Sequence, residues 1–305
     1  MPTDREGEII LKQVLCAVDL SSSSVPALSR AIELANLYDA RLDVLHVLDA
    51  ATTATAFLQS RRDDLLVHLR QMAEGLVDRQ RSFNASVAQG EPTSEILSYA
   101  RKHRPDLLVI GSCSSRRPRP FVVVGQTART LISGATCPVL VVPEATATAR
   151  GNAPTTVRHI VCALSSGASR WTLMHAVSLA LKLGARLTIL HVVEHARNRS
   201  QADSELRELR RSIPDSVHDS WRIDELVVHG AVADEIIDVT RALSADLLVL
   251  GFRRDFLSED TRDAIVSSVV RDIASDVLVV PGAAIAEPSF IGASGLEAGS
   301  GSPPS

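Results

Sequence analysis

Asp106–Gly111 reads DLLVIG, and Asp246–Gly251 reads DLLVLG. Each is an apolar run without alternation that ends on glycine, which fits a strand buried on both faces of a parallel sheet. The doubling continues on either side. Val14–Asp19 reads VLCAVD against IVCALS at Ile160–Ser165, and Ala40–Val47 reads ARLDVLHV against ARLTILHV at Ala185–Val192. Val139–Pro143 and Val277–Pro281 both read VLVVP. In chain order the offsets are 146, 145, 140 and 138 residues. Four matches in order at a nearly constant offset make a duplicated domain. Each copy can therefore be read against the other, and polar residues kept in both mark what both need.

The chain of 305 residues suits two domains, expected at 10–143 and 157–281. Between them Glu144–Thr156 (EATATARGNAPTT) reads as a linker, and Ala283–Ser305 ends in a Gly/Ser/Pro-rich tail expected to be disordered. The residues before Ile9 are expected to fray. Aromatic residues make up only 3%, which favours aliphatic layers of helix on sheet over an aromatic nucleic-acid platform. A net charge of −4 supplies no field for nucleic acid or an anionic membrane, so neither is expected as a partner. The N-terminal MPTDREGEII lacks the basic-then-apolar pattern of a signal peptide, and no window approaches a membrane span. Four scattered cysteines, Cys16 and Cys162 among them inside apolar strand patterns, read as cytosolic rather than as a disulfide framework. The expected location is cytoplasmic.

Each copy alternates apolar runs with helical segments. In the first, strands are expected at Gln13–Asp19, Arg41–Val47, Ser82–Gln89, Asp106–Gly111 and Pro138–Val142, with helices at Ser24–Tyr38, Phe57–Arg79, Pro92–His103 and Thr127–Ser133. In the second, strands fall near Val157–Leu164, Arg186–Val193, Trp221–His229, Asp246–Gly251 and Asp276–Val280. Its helices fall near Ser169–Leu183, Ala202–Ser212, Ala231–Leu243 and Arg262–Ala274. This is an α/β class: two tandem Rossmann-like domains, each a five-stranded parallel doubly wound sheet. Ligands of such sheets bind beyond the carboxyl ends of the strands. The site is therefore expected at Asp19–Ser24, Gly111–Gly125 and the residues after Val47.

Val18-Asp19, Leu45-His46-Val47, Gly90-Glu91-Pro92, Asp106–Gly111 and Cys137–Pro143, taken in order, resemble the universal stress protein family in its tandem-domain form. The resemblance implies a fold like that of adenine nucleotide alpha hydrolases. In ATP-binding members the strand corresponding to DLLVIG runs into a Gly-x2-Gly-x9-Gly loop followed by Ser or Thr. Glycines let backbone N–H groups approach phosphates, and a helix N-terminus favours anions. The first copy matches in part. Asp19, Val47 and Gly111 stand at family positions, Ser114 replaces the second glycine, and Gly125 opens the last helix one residue late, with Gln126 in place of Ser or Thr. Losing two hydrogen bonds to a charged ligand would weaken ATP by about two to four orders of magnitude. Arg116, Arg117 and Arg119 in the intervening loop offer replacement phosphate partners. In the second copy Ser165 replaces the aspartate, Arg254 the second glycine, and Asp263-Ala264 the Gly-Ser pair. A carboxylate at the start of a phosphate-binding helix repels the ligand.

Asp19 has two readings, a neighbour of adenosine or a cap on the turn at Ser21–Ser24. His46 and His191 recur in both copies with no second ligand at metal spacing, so they read as structural. Cys113 lies beside basic residues, a setting that lowers a thiol pKa. Cys137 reads as packing. Neither a triad nor paired carboxylates, zinc spacing or a Walker loop stands out.

The expectation is a non-enzymatic stress-response regulatory or binding module with a degenerate nucleotide site in the first copy and none in the second. No metal or cofactor is expected. The alternative is an ATP-binding or slowly ATP-hydrolysing switch that uses the first copy. The implied partners are the two domains themselves, paired through their last strands, with a homodimer or an unknown protein partner as further options.

Overall fold

The computed structural model describes residues 3–4, 8–21, 24–49, 63–69, 71, 83–112, 126–144, 157–164, 170–193, 204, 207, 223–252 and 259–281. The first half contains β1 (Thr3–Asp4), β2 (Glu8–Ile9), β3 (Gln13–Val18), α1 (Ser24–Tyr38), β4 (Arg41–Asp49), β5 (Phe83–Gly90), α2 (Pro92–His103), β6 (Leu107–Gly111), α3 (Gln126–Gly134) and β7 (Val139–Val142). The second half contains β8 (His159–Leu164), α4 (Arg170–Leu183), β9 (Arg186–Val193), β10 (Ile223–His229), α5 (Val232–Ala242), β11 (Leu247–Phe252), α6 (Glu259–Asp272) and β12 (Asp276–Pro281).

Ten strands form one sheet in the order β10-β9-β8-β11-β12-β7-β6-β3-β4-β5. Within each half every neighbour is parallel, and the strand order reverses beside β3 and β8. The halves join through β7 and β12, which run antiparallel with Leu140 opposite Leu278. This pairing covers the edge that a terminal VLVV strand would otherwise expose.

Helices cover both faces of the sheet. Along β3, Val14, Cys16 and Val18 face the α1–α4 layer, while Leu15 faces the opposite layer of α2, α3, α5 and α6. Both cores run continuously across the two halves. α2 shows how local chemistry sets an element. Glu91 caps it by accepting from the Thr93 and Ser94 N–H groups at 3.0 and 2.7 Å, and Pro92 takes the first helical position, where a missing N–H costs nothing.

Three expectations need correction. The segment before Ile9 does not simply fray. Thr3–Asp4 pairs antiparallel with Glu8–Ile9, and the Ser178 hydroxyl on α4 accepts from the Ile9 N–H at 3.2 Å and donates to its carbonyl at 3.1 Å. That partner lies 169 residues away, beyond the reach of local pattern. β4 runs on to Asp49, because β5 extends far enough to pair Asp49 with Gly90. α6 starts at Glu259 rather than Arg262. The expected helix at Phe57–Arg79 is described as helical only at 63–69 and 71, and that at Ala202–Ser212 only at 204 and 207. The linker after Glu144 and the 283–305 tail lie outside the described residues.

Candidate functional site

Asp19, Val47 and Gly111 lie at or near the carboxyl ends of three neighbouring strands, β3, β4 and β6. The topology thus brings together three of the four described candidates at the point where the strand order reverses. Gly111 is the last residue of β6 and pairs with Val142. Val47 stands two residues inside the end of β4, opposite Ala88 of β5, so it is a strand residue rather than the start of a loop. Gln126 is the first residue of α3. Ser114, Gly125, Cys113, Arg116, Arg117 and Arg119 lie outside the described residues.

The geometry at Asp19 is that of a turn cap. Its Oδ1 accepts from the Ser21 N–H at 3.0 Å, the Ser21 hydroxyl at 2.5 Å and the Ser24 hydroxyl at 2.5 Å. The Ser24 hydroxyl in turn accepts from the Asp19 N–H at 2.9 Å. Burial alone would raise the carboxyl pKa, but these bonds outweigh it and hold the group below the usual carboxylate range. Between Asp19 and Ser21, Leu20 is left-handed at φ 62°, a conformation that costs a non-glycine residue about 1–2 kcal/mol. The serine bonds offset that strain and fix the turn beyond β3.

Of the repeated histidines, His46 makes a structural bond. His46 Nδ1 donates to the Val18 carbonyl at 2.8 Å, tying the end of β4 to the end of β3. His191 is buried between β8 and β10. The Cys16 and Cys137 thiols are pushed up to about 12 by burial, and burial raises that of Cys162 further, so all three are inert packing groups. Among the described residues no cluster of three His, Cys, Asp or Glu could hold a metal ion, and no helix is long and apolar enough to cross a membrane.

In the second copy, Gly251 at the position of Gly111 has a packing reason to be glycine. A Cβ there would fall 2.2 Å from Oγ1 of Thr172, a buried α4 residue standing where α1 has Ala27. Asp263 lies in the second turn of α6, not at its start as expected.

Sequence reading missed the role of the aspartate that opens the decisive strand. Asp106 Oδ2 accepts from the N–H groups of Lys12 and Gln13 at 2.7 and 2.9 Å. Asp246 Oδ2 does the same for Arg158 and His159 at 2.8 and 3.1 Å. Its presence in both copies was the available signal. Also missed was Arg30 on α1, whose Nε donates to Asp276 of β12 at 2.6 Å across the junction of the halves.

The family model for universal stress proteins matches residues 11–143 and 156–281. Universal stress protein MJ0531 of Methanocaldococcus jannaschii is 27% identical over 151 residues, covering 46% of this chain and 86% of its own. Universal stress protein YxiE of Bacillus subtilis is 28% identical over 148 residues, covering 44% of this chain and 99% of its own. Each aligns over about half of this chain, as a single copy set against a duplicated one would. Among solved structures, a universal stress protein from Archaeoglobus fulgidus shares the fold across 88% of this chain and 98% of its own, at 16% identity and a TM-score of 0.66. With both halves matched and the same strand order in each, the chain belongs to the universal stress protein family, as a tandem of two such domains.

Proposed function

We propose that this protein is a non-enzymatic regulatory or binding module of the stress response, with a degenerate nucleotide site in the first half and none in the second. The observation that carries this reading is the state of Asp19. Its Oδ1 already takes three hydrogen bonds from Ser21 and Ser24, so it serves the turn into α1 without a ligand. The sequence supports the same view through Ser114 and Gln126, which replace groups that would hold phosphate. In the second half, packing against Thr172 accounts for Gly251.

One observation favours an ATP-binding or slowly hydrolysing switch as the second reading: Asp19, Val47 and Gly111 come from adjacent strands at the crossover point where such sheets take ligands. Heat-released nucleotide from the purified protein, with a thermal-shift panel of ATP, ADP, AMP and cyclic nucleotides, separates the two. The expected result is no stoichiometric nucleotide and no stabilisation by ATP at concentrations below millimolar. Stoichiometric ATP or ADP would instead establish the switch. In that event Gly125→Asp should abolish binding and Asp19→Ala should weaken it.

A further inference from the structure

Between α1 and α4, above the paired β7 and β12, the two halves leave a cavity of about 250 Å³. Asp106 and Leu247 line it at the amino ends of their strands, so it lies at the opposite end of the sheet from Asp19 and Gly111. Most of the wall is aliphatic, with leucines such as Leu34 and Leu179 contributed by both helices.

The pseudo-twofold relation between the halves explains the polar groups in this wall. Aligned over α1 and α4, Arg30 corresponds to His175, and over the last strands Asp276 corresponds to Pro138. All four residues line the cavity. On one side Arg30 reaches Asp276, and Glu33 as well, each at 2.6 Å. On the other side the counterpart of that carboxylate is a proline, which offers no side-chain donor or acceptor.

His175 is 3% exposed. Its Nδ1 lies 2.8 Å from the Trp171 carbonyl, which can only accept, so Nδ1 carries the hydrogen. Burial pulls the imidazole down to about 4, so the ring is neutral at physiological pH. Nε2 is therefore an acceptor, and it is buried with no partner among the described residues. The other polar wall groups are engaged, Ser178 with Ile9 and Asp106 with the Lys12 and Gln13 N–H groups.

A ligand for this space is constrained in three ways. The aliphatic wall calls for an apolar body. The carboxylates of Glu33, Asp106 and Asp276 outnumber the Arg30 cation, which disfavours an anion, while Arg30 already pairs with Glu33 and Asp276 and Asp106 takes two backbone N–H groups, so these carboxylates do not call for a second cation. A cavity of roughly 150 Å³ accommodates benzene, so this one accommodates a substituted ring. We propose that the junction cavity binds a small, uncharged, apolar molecule with one hydroxyl donor, of the size of a substituted phenol, whose O–H donates to His175 Nε2.

Titration of the full-length chain with 4-isopropylphenol and with cumene, its hydroxyl-free counterpart, tests this by calorimetry and by the 15N resonance of His175 Nε2. The phenol should bind saturably at one site and about threefold to tenfold more tightly than cumene, the range that one net hydrogen bond supplies. It should also shift the Nε2 resonance, while cumene leaves it in place. His175→Phe should reduce the phenol to the affinity of cumene, and Leu179→Trp, by filling the space, should weaken both about tenfold or more. Absence of saturable phenol binding to the wild type at low millimolar concentration would overturn the proposal, as would equal affinities for the two compounds or an unmoved Nε2 resonance. These wild-type measurements decide the matter even where a variant fails to fold.

Discussion

Asp106 and Asp246 each hold two backbone N–H groups, at the start of β3 and of β8, so they act as fixed caps on a sheet rather than as ligand contacts. Asp106→Ala leaves the Lys12 and Gln13 N–H groups without these bonds and should cost about 1–3 kcal/mol in urea denaturation, with no effect on any nucleotide binding. Glu91 makes the same kind of contact at a helix start, and there pH becomes the probe. Bonds from the Ser94 and Thr93 N–H groups lower its carboxyl from 4.5 to about 2 in the folded protein. A depressed folded-state pKa gives stability that is present above the unfolded value and lost as pH falls through the folded one. Wild type should therefore lose stability relative to Glu91→Gln between about pH 4.5 and pH 2, and the two should run parallel above pH 5. The side chain is exposed, so the effect will be small. At this scale the sequence was legible in residue type but not in role. Asp106 could be read as the first letter of an apolar strand, while its partners lie 93 and 94 residues earlier and emerge only when β3 and β6 are set side by side.

Between elements, the duplication acts as an internal control. Gly184 ends α4 in a left-handed conformation at φ 67°, and Asp39 occupies the same place after α1 at φ 54°. Nothing lies within 4 Å of a Cβ built at Gly184, so a side chain there would meet only the dihedral cost. Gly184→Ala should accordingly destabilise by about 1 kcal/mol, read as a lowered denaturation midpoint with an unchanged circular dichroism spectrum. The copies also solve one buried polar position in two ways. On the first pair of strands Gln13 Nε2 donates to Asp43 at 2.6 Å, and on the corresponding pair Thr188 donates to His159 Nε2 at 2.9 Å. The periodicity showed strands and helices in their correct order because aliphatic runs and helical faces are local properties. It could not show a carboxylate buried within β4, since Asp43 is tolerated there through Gln13 and Arg41 beside it and the Tyr99 hydroxyl of α2. Nor could it fix the true end of β4, where pairing with β5 decides the boundary.

For the whole molecule, the central question is why the last strand of the first half pairs with the last strand of the second rather than with its own copy in another chain. Backbone bonding between two VLVV strands does not discriminate, because the strands are alike. Arg30 and Asp276 do. Both are buried, and they meet only when β12 lies beside β7 of the same assembly. If β7 paired with a second β7, the residue presented to Arg30 would be Pro138, the counterpart of Asp276, and a buried guanidinium would lose one of its two carboxylates. A buried charge that loses a partner is destabilising, by up to several kcal/mol, whereas a satisfied pair is close to neutral against apolar replacements. The ion pair thus sets the pairing more than it adds stability, and a double-mutant cycle separates the two effects. Arg30→Met alone takes the guanidinium from Asp276, and Asp276→Leu alone removes one of the two carboxylates that Arg30 reaches, so each should destabilise, by at most about 3–5 kcal/mol and by less for Asp276→Leu, where Glu33 remains. The combined variant, with two apolar side chains facing each other, should recover most of that loss, so that its denaturation midpoint lies above that of either single variant. It should also have lost the bias against like-with-like pairing, which sedimentation would detect as a concentration-dependent dimer absent from the wild type under the same conditions. Costs that simply add in the double variant would mean that Arg30 and Asp276 do not depend on each other, and the choice of pairing would then have to come from elsewhere in the junction.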